Sequence, residues 1–197
     1  MINSDGVKLA GCDLAAMRGR PEFCPQVSSL IARSAGPGEA LAALERQGFQ
    51  MAALCLLAYA LPKREATWWA CMCARHTAPR DLAAAPLAAL ASAEQWVRQQ
   101  SDTLRHAAFA AAKAAGFASP EAWAGLAAYW SGASPFPARE PPAPSSDHLT
   151  GTAVVGALAL AAIRSRPERK QGRLARFLES GHNIAAGGSG RLSPEEE

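Results

Sequence analysis

Phe49-Gln-Met-Ala-Ala-Leu-Cys-Leu-Leu-Ala-Tyr-Ala-Leu61 is an apolar stretch that predicts the central helix of the fold. Wound as a helix, it is apolar all round its axis except near Gln50, which is typical of a helix enclosed by its neighbours. Pro62 ends it, because the residue before a proline avoids helical geometry and the ring blocks a backbone hydrogen bond. Proline is also favoured as the first residue of a helix. We therefore expect a sharp corner followed by a second helix to Thr77.

The composition of the chain favours an all-α fold. The 197 residues are 49% hydrophobic and 19% charged, with a net charge of +3, as in an ordinary globular domain. Alanine provides much of the apolar content, and it is the best helix former but a poor filler of a sheet core. We predict a compact multi-helix domain of tightly connected helical hairpins.

Prolines and glycines divide the sequence into five regions. Residues 1–36 are predicted as an N-terminal arm with short helices, and residues 37–131 as the helical core. Residues 132–147 are rich in proline and are predicted to form an extended strap. Residues 148–184 should form a C-terminal helix pair that docks on the core, and residues 185–197 a flexible tail, because they contain few apolar side chains.

The cysteines and the ends of the sequence predict a cytoplasmic protein. The chain has five cysteines, an odd number with no disulfide-framework spacing, which fits reduced thiols. The N-terminus has no basic region followed by an apolar run, so no secretory signal is expected. The longest uncharged apolar run, residues 151–163, is shorter than the roughly 20 residues that a membrane span requires.

Cys71, Cys73 and His76 are the residues that most resemble a reactive or metal-binding site. Helical geometry separates Cys71 from Cys73 by about 200°, so the two thiols cannot share a metal ion. Cys73 and His76 could still be neighbours, and an imidazole can activate a thiol. Elsewhere the carboxylates lack the paired spacing of an acid and a base. The sequence predicts no catalytic residue, cofactor or metal, with a Cys73–His76 pair as the alternative.

Four tryptophans recur at helical spacing on the predicted helices: Trp68, Trp69, Trp123 and Trp130. Aromatic side chains at this spacing usually belong to a hydrophobic core. The alternative is a groove that binds a partner, for which Trp68 and Trp130 are the candidate contact residues.

The densest cluster of positive charge lies on the predicted C-terminal helix pair. Such a cluster could bind the phosphates of a nucleic acid, but it is a weak candidate because the net charge is small and no aromatic residue interleaves it. A solvated helix face is the simplest reading, and an acidic protein surface is the better functional alternative. The predicted partner-binding residues are therefore Arg166, Arg169, Lys170, Arg173 and Arg176, together with Trp68 and Trp130.

Four segments of the sequence resemble an uncharacterised all-helical family of proteobacteria. They are residues 58–71, which include Leu-Pro-Lys-Arg-Glu-Ala-Thr-Trp-Trp, and residues 127–134, 149–157 and 176–185. Members of that family are often encoded beside type VI secretion genes. The resemblance implies no catalytic residue, and it implies an accessory role in assembling or loading a secretion machine.

Two functions from different classes follow. The first is a non-catalytic cytoplasmic protein-binding module, an adaptor or chaperone accessory to a type VI-like secretion system. Its expected partner is another protein, such as a secreted effector or a spike component, rather than a membrane or a nucleic acid. The alternative is a thiol-dependent enzyme or redox sensor that uses Cys73 and His76, and a DNA-binding protein ranks third.

Overall fold

The computed structural model describes residues 8–9, 12–20, 22–132 and 148–196, and this part of the chain is all-α. The predicted strap, residues 132–147, lies outside the described residues except for Gly132. Among the described residues, no helix has the length and apolar content needed to cross a bilayer. The helices are α1 (Leu14–Arg18), α2 (Pro25–Arg33), α3 (Pro37–Arg46), α4 (Gln50–Ala60), α5 (Lys63–His76), α6 (Ala84–Gln99), α7 (Asp102–Ala114), α8 (Pro120–Trp130), α9 (Leu149–Ile163) and α10 (Lys170–Ala185), with a 3-10 turn at Pro167–Arg169 before α10.

Helix α4 is the enclosed helix that the sequence predicts. Leu54, Leu56 and Leu57 are fully buried, and α3, α9 and α10 pack around the helix. Leu61 leaves helical geometry with an extended backbone, and Pro62 then leads into α5. The compact all-α fold class is thereby confirmed.

Small residues on α9 allow neighbouring helices to approach closely. Ala153, Ala157 and Ala161 are buried against α4, α5 and α8. A Cβ atom at Gly156 would lie 2.4 Å from the ring of Trp123 on α8. Glycine at this position is therefore part of the contact between α8 and α9.

A polar cluster ties the N-terminal arm to the core. The Tyr59 hydroxyl on α4 donates a hydrogen bond of 2.6 Å to Glu22, and the Arg20 guanidinium lies 3.8 Å from the centre of the Tyr59 ring. Burial raises the pKa of Glu22, but the hydrogen bonds from Tyr59 and Arg20 outweigh it and hold that pKa below its ordinary value. The pKa of Tyr59 rises to about 12 because of burial and its bond to Glu22.

Two carboxylates inside the helical core are neutralised by arginines. Glu121, in the first turn of α8, is fully buried and pairs with Arg164 beyond the end of α9. Glu94 on α6 pairs with Arg75 on α5. A buried charge is costly unless it is paired, so Arg164 is needed in the interior and is not part of the solvated basic cluster.

Most of the predicted flexible tail, residues 185–197, lies against the helices of the structure. Helix α10 continues to Ala185, and the residues that follow turn back along it. Gly187 and Gly190 have positive φ angles of 94° and 61°, which only glycine adopts readily. The sequence contains few apolar residues here, but polar groups on α5 and α10 hold the segment in place. We call residues 186–196 the tail segment.

Candidate functional site

The tail segment lies in a groove between α5 and α10. It runs antiparallel to α10, because Gly190 contacts Ser180 and Asn183 while Glu196 reaches Arg169. Along a helix axis, Arg169 and Asn183 are about 21 Å apart, and residues 190–196 span about 20 Å when extended. Residues 190–196 of the tail segment are therefore almost fully extended. We call its binding surface the tail groove.

Three polar side chains of the tail groove bind the backbone of the tail segment near its first turn. The Trp68 indole donates a hydrogen bond of 2.7 Å to the Ser189 carbonyl. The Ser180 hydroxyl donates one of 2.5 Å to the Gly190 carbonyl, and the Gly190 N–H donates one of 2.8 Å to the Asn183 side chain. Because these contacts involve only backbone groups of the tail segment, they place few demands on its side chains.

His76, the last residue of α5, binds the middle of the tail segment. Its backbone carbonyl accepts a hydrogen bond of 2.7 Å from the Glu195 N–H, and its ring nitrogen Nδ1 contacts the Ser193 carbonyl. Leu192, which precedes these contacts in the chain, is half-buried against the hydrophobic core. The His76 ring is thus engaged with the tail segment.

Glu195 is the side chain of the tail segment with the strongest ionic contacts. Its carboxylate lies 2.6 Å from a guanidinium nitrogen of Arg173 and 3.5 Å from one of Arg169. The hydrogen bonds from Arg173 outweigh burial and hold the pKa of Glu195 below its ordinary value. The neighbouring Glu196 carbonyl accepts a hydrogen bond of 2.7 Å from Arg169.

Arg173 differs from its prediction as an exposed partner-binding residue. Its side chain is only 4% exposed, because the guanidinium also donates hydrogen bonds to carbonyls at the end of α9, including Ala162 at 3.2 Å and Arg164 at 2.6 Å. The last carbonyls of a helix lack partners within the helix and attract cations. Arg173 therefore caps α9 and binds Glu195 with the same group.

Three of the predicted basic residues remain on the surface. Arg166, Lys170 and Arg176 are exposed, and we call them the basic face. Arg176 makes an ion pair with Glu179 at 3.1 Å in which both side chains are well exposed, so the pair contributes little to stability. A cleft of about 930 Å³ lies between α10 and the tail segment, and its cationic lining residues are Arg169, Arg173, Arg176 and Arg191, with His76 at its edge.

A second, smaller cavity of about 300 Å³ is lined by Trp68. Four of its lining residues are cationic and one is acidic, but Lys8 pairs with Glu65 at 3.0 Å and Arg64 donates to the Val97 carbonyl at 2.8 Å. Most of its charges are therefore already compensated. The charged lining residues are Lys8, Arg64, Arg98, Arg191 and Glu65.

Comparison with protein families matches residues 40–185 to the family of unknown function DUF6931. The chain belongs to this family. No curated protein and no solved structure matches the chain. The family match includes α3 to α10 and every residue that lines the tail groove on α5 and α10, but it ends where the tail segment begins.

The tryptophans of this family member do not share one groove. Trp69 is fully buried and donates a hydrogen bond of 2.9 Å to the Phe177 carbonyl, so it belongs to the core. Trp123 is half-buried against α9 and donates one of 2.8 Å to the Phe117 carbonyl. Trp68 alone contacts the tail segment. Trp130 is half-buried at the end of α8 and lines neither cavity.

Cys73 and His76 lie in different environments although they share α5. Cys73 is fully buried, and burial raises the pKa of its thiol well above the ordinary value, which disfavours the reactive thiolate. The His76 ring points to the tail segment and to the edge of the Phe177 ring. Within the described residues, no group of three or more potential ligands could hold a metal ion.

The sequence did not reveal the tail groove. Its donors come from residues far apart in the chain, and Ser180 and Asn183 have no distinctive spacing. One signal was present: Leu192-Ser-Pro-Glu195 combines an apolar residue with an acid close to a basic helix. That combination does not by itself predict that the tail segment binds α10, because the prediction also requires the turn at Gly187.

Proposed function

We propose that this DUF6931 protein is a non-catalytic protein-binding module that binds an acidic segment of another protein on α5 and α10. The observation that carries the proposal is the tail segment itself, an extended acidic stretch bound through its backbone and through Glu195. A surface that binds such a segment within one chain has the chemistry to bind one from a partner. The basic face continues that surface and would attract the partner's remaining acidic groups.

The same geometry argues against a thiol enzyme. A nucleophilic cysteine needs an accessible thiolate, whereas Cys73 is fully buried and the His76 ring is engaged by the tail segment. The groups that surround the cleft are instead hydrogen-bond donors and cations suited to holding a carboxylate or a carbonyl.

The biological setting that we propose is an adaptor or chaperone in the cytoplasm of a proteobacterium, accessory to a type VI-like secretion system. Its support is the resemblance of residues 58–71 and the three further segments to a family often encoded beside type VI secretion genes. The five free cysteines fit a reducing compartment. The proposed partner is a secreted effector or a spike component with an acidic surface.

The test is affinity purification of the tagged chain from its native host under secretion-inducing conditions, with identification of bound proteins by mass spectrometry. A charge-reversal variant of the basic face (Arg166→Glu, Lys170→Glu, Arg176→Glu) should keep its helical circular dichroism, because exposed charges contribute little to stability. It should lose an effector or spike component that the unmodified chain retains, and raised salt should weaken retention by the unmodified chain.

Two controls make the result specific. Lys113→Glu reverses an exposed charge on α7, away from the basic face, and should retain the partner. Trp130→Ala tests docking on the aromatic residue at the end of α8, since buried aromatic anchors usually dominate an interface. Full retention of the partner by the basic-face variant would rule out this surface, and recovery of metabolic enzymes instead of secretion proteins would contradict the biological setting.

A further inference from the structure

The tail segment has two side-chain anchors separated by three positions. Leu192 packs against the core, and Glu195 pairs with Arg173 and Arg169. The other hydrogen bonds that the described residues make to residues 189–196 involve backbone groups of the tail segment. The groove thus distinguishes a bound segment by an apolar residue and an acid in a fixed register, while tolerating other side chains.

The acidic position is the more demanding of the two. Arg173 is buried beneath the tail segment, and its guanidinium also donates hydrogen bonds to the carbonyls at the end of α9, which do not depend on the tail segment. A buried cation is costly unless a carboxylate pairs with it. In the described part of the chain, Glu195 supplies that carboxylate. The groove is therefore built to receive an acid at this point.

The family match separates the groove from its occupant. Trp68, His76, Arg173, Ser180 and Asn183 all lie within residues 40–185, which match DUF6931, whereas the tail segment lies outside the match. The residues that form the groove therefore lie within the matched range, and the segment that fills the groove lies beyond it.

We infer that the tail groove is a docking site for an extended segment of a partner protein that carries an apolar residue followed three positions later by Glu or Asp. The tail segment is then an intramolecular ligand that the partner segment displaces. This inference rests on the proposed function and specifies the ligand. It differs from the basic face, which lies outside the groove and has no sequence register.

The test is to let the whole chain fold and then to cleave the link between α10 and the tail segment. A protease recognition site is inserted between Ala186 and Gly187, which are both exposed. A fluorescent peptide with the sequence of residues 187–196 is then titrated before and after cleavage and removal of the released tail. We expect binding to the cleaved chain to be at least about tenfold tighter, because a tethered ligand has a high effective concentration.

Three altered peptides test the register. Replacement of Glu195 by Gln or of Leu192 by Ser should weaken binding to the cleaved chain by about tenfold or more, because a buried charge loses its partner or an apolar contact is lost. Ser193→Ala is the matched control and should bind like the unaltered peptide, since Ser193 is exposed and contacts His76 through its backbone carbonyl. Equal binding of all peptides would overturn the inference.

A second route avoids cleavage. The full chain with Leu192→Ala and Glu195→Gln should bind the unaltered peptide at least about tenfold more tightly than the unmodified chain does. An unchanged chemical shift of the Trp69 indole N–H in the NMR spectrum would show that the core of this variant remains folded. Failure of the peptide to bind both this folded variant and the cleaved chain overturns the inference. Dimerisation through exchanged tails, seen as a concentration-dependent mass in light scattering, would also overturn the assignment to a different partner protein.

Failure of the inference can be told apart from failure of the proposed function. If the peptide binds as expected but purification from the host yields no protein sensitive to the basic-face variant, the groove is a docking site, and the proposed role of the basic face and the secretion setting are wrong. If a secretion protein is retained through the basic face but no peptide binds the cleaved chain, the protein-binding function stands on the basic face and the groove is not its site.

Discussion

Helix α4 and the tail segment are both held against the rest of the molecule, but by different interactions. Helix α4 contributes fully buried leucines and contains no charged residue. The tail segment is held by hydrogen bonds to its backbone and by one carboxylate between arginines. Apolar burial is non-directional and makes a permanent core, whereas the polar contacts can be replaced by equivalent groups of another chain. The first region therefore determines the fold, and the second is suited to exchange.

The largest effect is expected at the centre of α4. Leu56→Ala should lower the free energy of unfolding by about 2 to 5 kcal/mol, because the fully buried side chain leaves a cavity. Leu87→Ala is the matched control, since Leu87 is 48% exposed and its truncation should have little effect. Chemical denaturation followed by circular dichroism measures both, and an unchanged midpoint for Leu56→Ala would contradict the central position of α4.

Truncation of two arginines on α10 compares the contribution of a buried arginine to stability with that of an exposed one. Arg173→Ala should destabilise the protein by about 2 to 4 kcal/mol, because it leaves carbonyls at the end of α9 and the Glu195 carboxylate without their partner. Arg176→Ala removes a side chain that is 64% exposed and should change the free energy of unfolding by less than about 0.5 kcal/mol. Similar melting temperatures for the two variants would show that Arg173 is not a cap.

Two glycines of α10 allow a comparison of its inner and outer sides. Gly181→Ala would place a Cβ atom 2.4 Å from Leu57 and 2.8 Å from the Trp69 ring, and it should cost about 1 to 3 kcal/mol. Gly172→Ala faces open space, and it should stabilise the helix by about 0.5 to 1 kcal/mol. Thermal unfolding of the two variants should therefore shift in opposite directions, and destabilisation by Gly172→Ala would show that the outer side of α10 is covered.

The sequence was informative wherever one helix carries its own signal. The apolar stretch 49–61 and the corner at Pro62 predict helices that the structure contains, and the side chains of Ser101 and Ser119 cap α7 and α8. These signals work because hydrophobic periodicity and capping depend on neighbours in the sequence.

Contacts between distant residues were not predictable in the same way. Arg173 looked like one member of a solvated cluster, because nothing local shows that its guanidinium meets the end of α9. The tail segment looked flexible because its apolar content is low, whereas Trp68 and Ser180 supply polar partners from elsewhere in the chain. The candidate site could therefore be located only roughly, at the basic residues of α10 and at Trp68.

The smallest effect, confined to the tail segment, is expected on acidification. The pKa of Glu195 lies below its ordinary value of 4.5 because of Arg173, with Arg169 and His76 contributing. The docked segment therefore binds fewer protons than the released one, so docking is at full strength above pH 4.5 and weakens as the pH falls through the lowered pKa. The Trp68 indole resonance should shift on acidification as its bond to Ser189 is lost, while the Trp69 resonance should not change. Glu195→Gln should remove the pH dependence that this carboxylate contributes, and an identical titration of Trp68 in both proteins would show that Glu195 does not control docking.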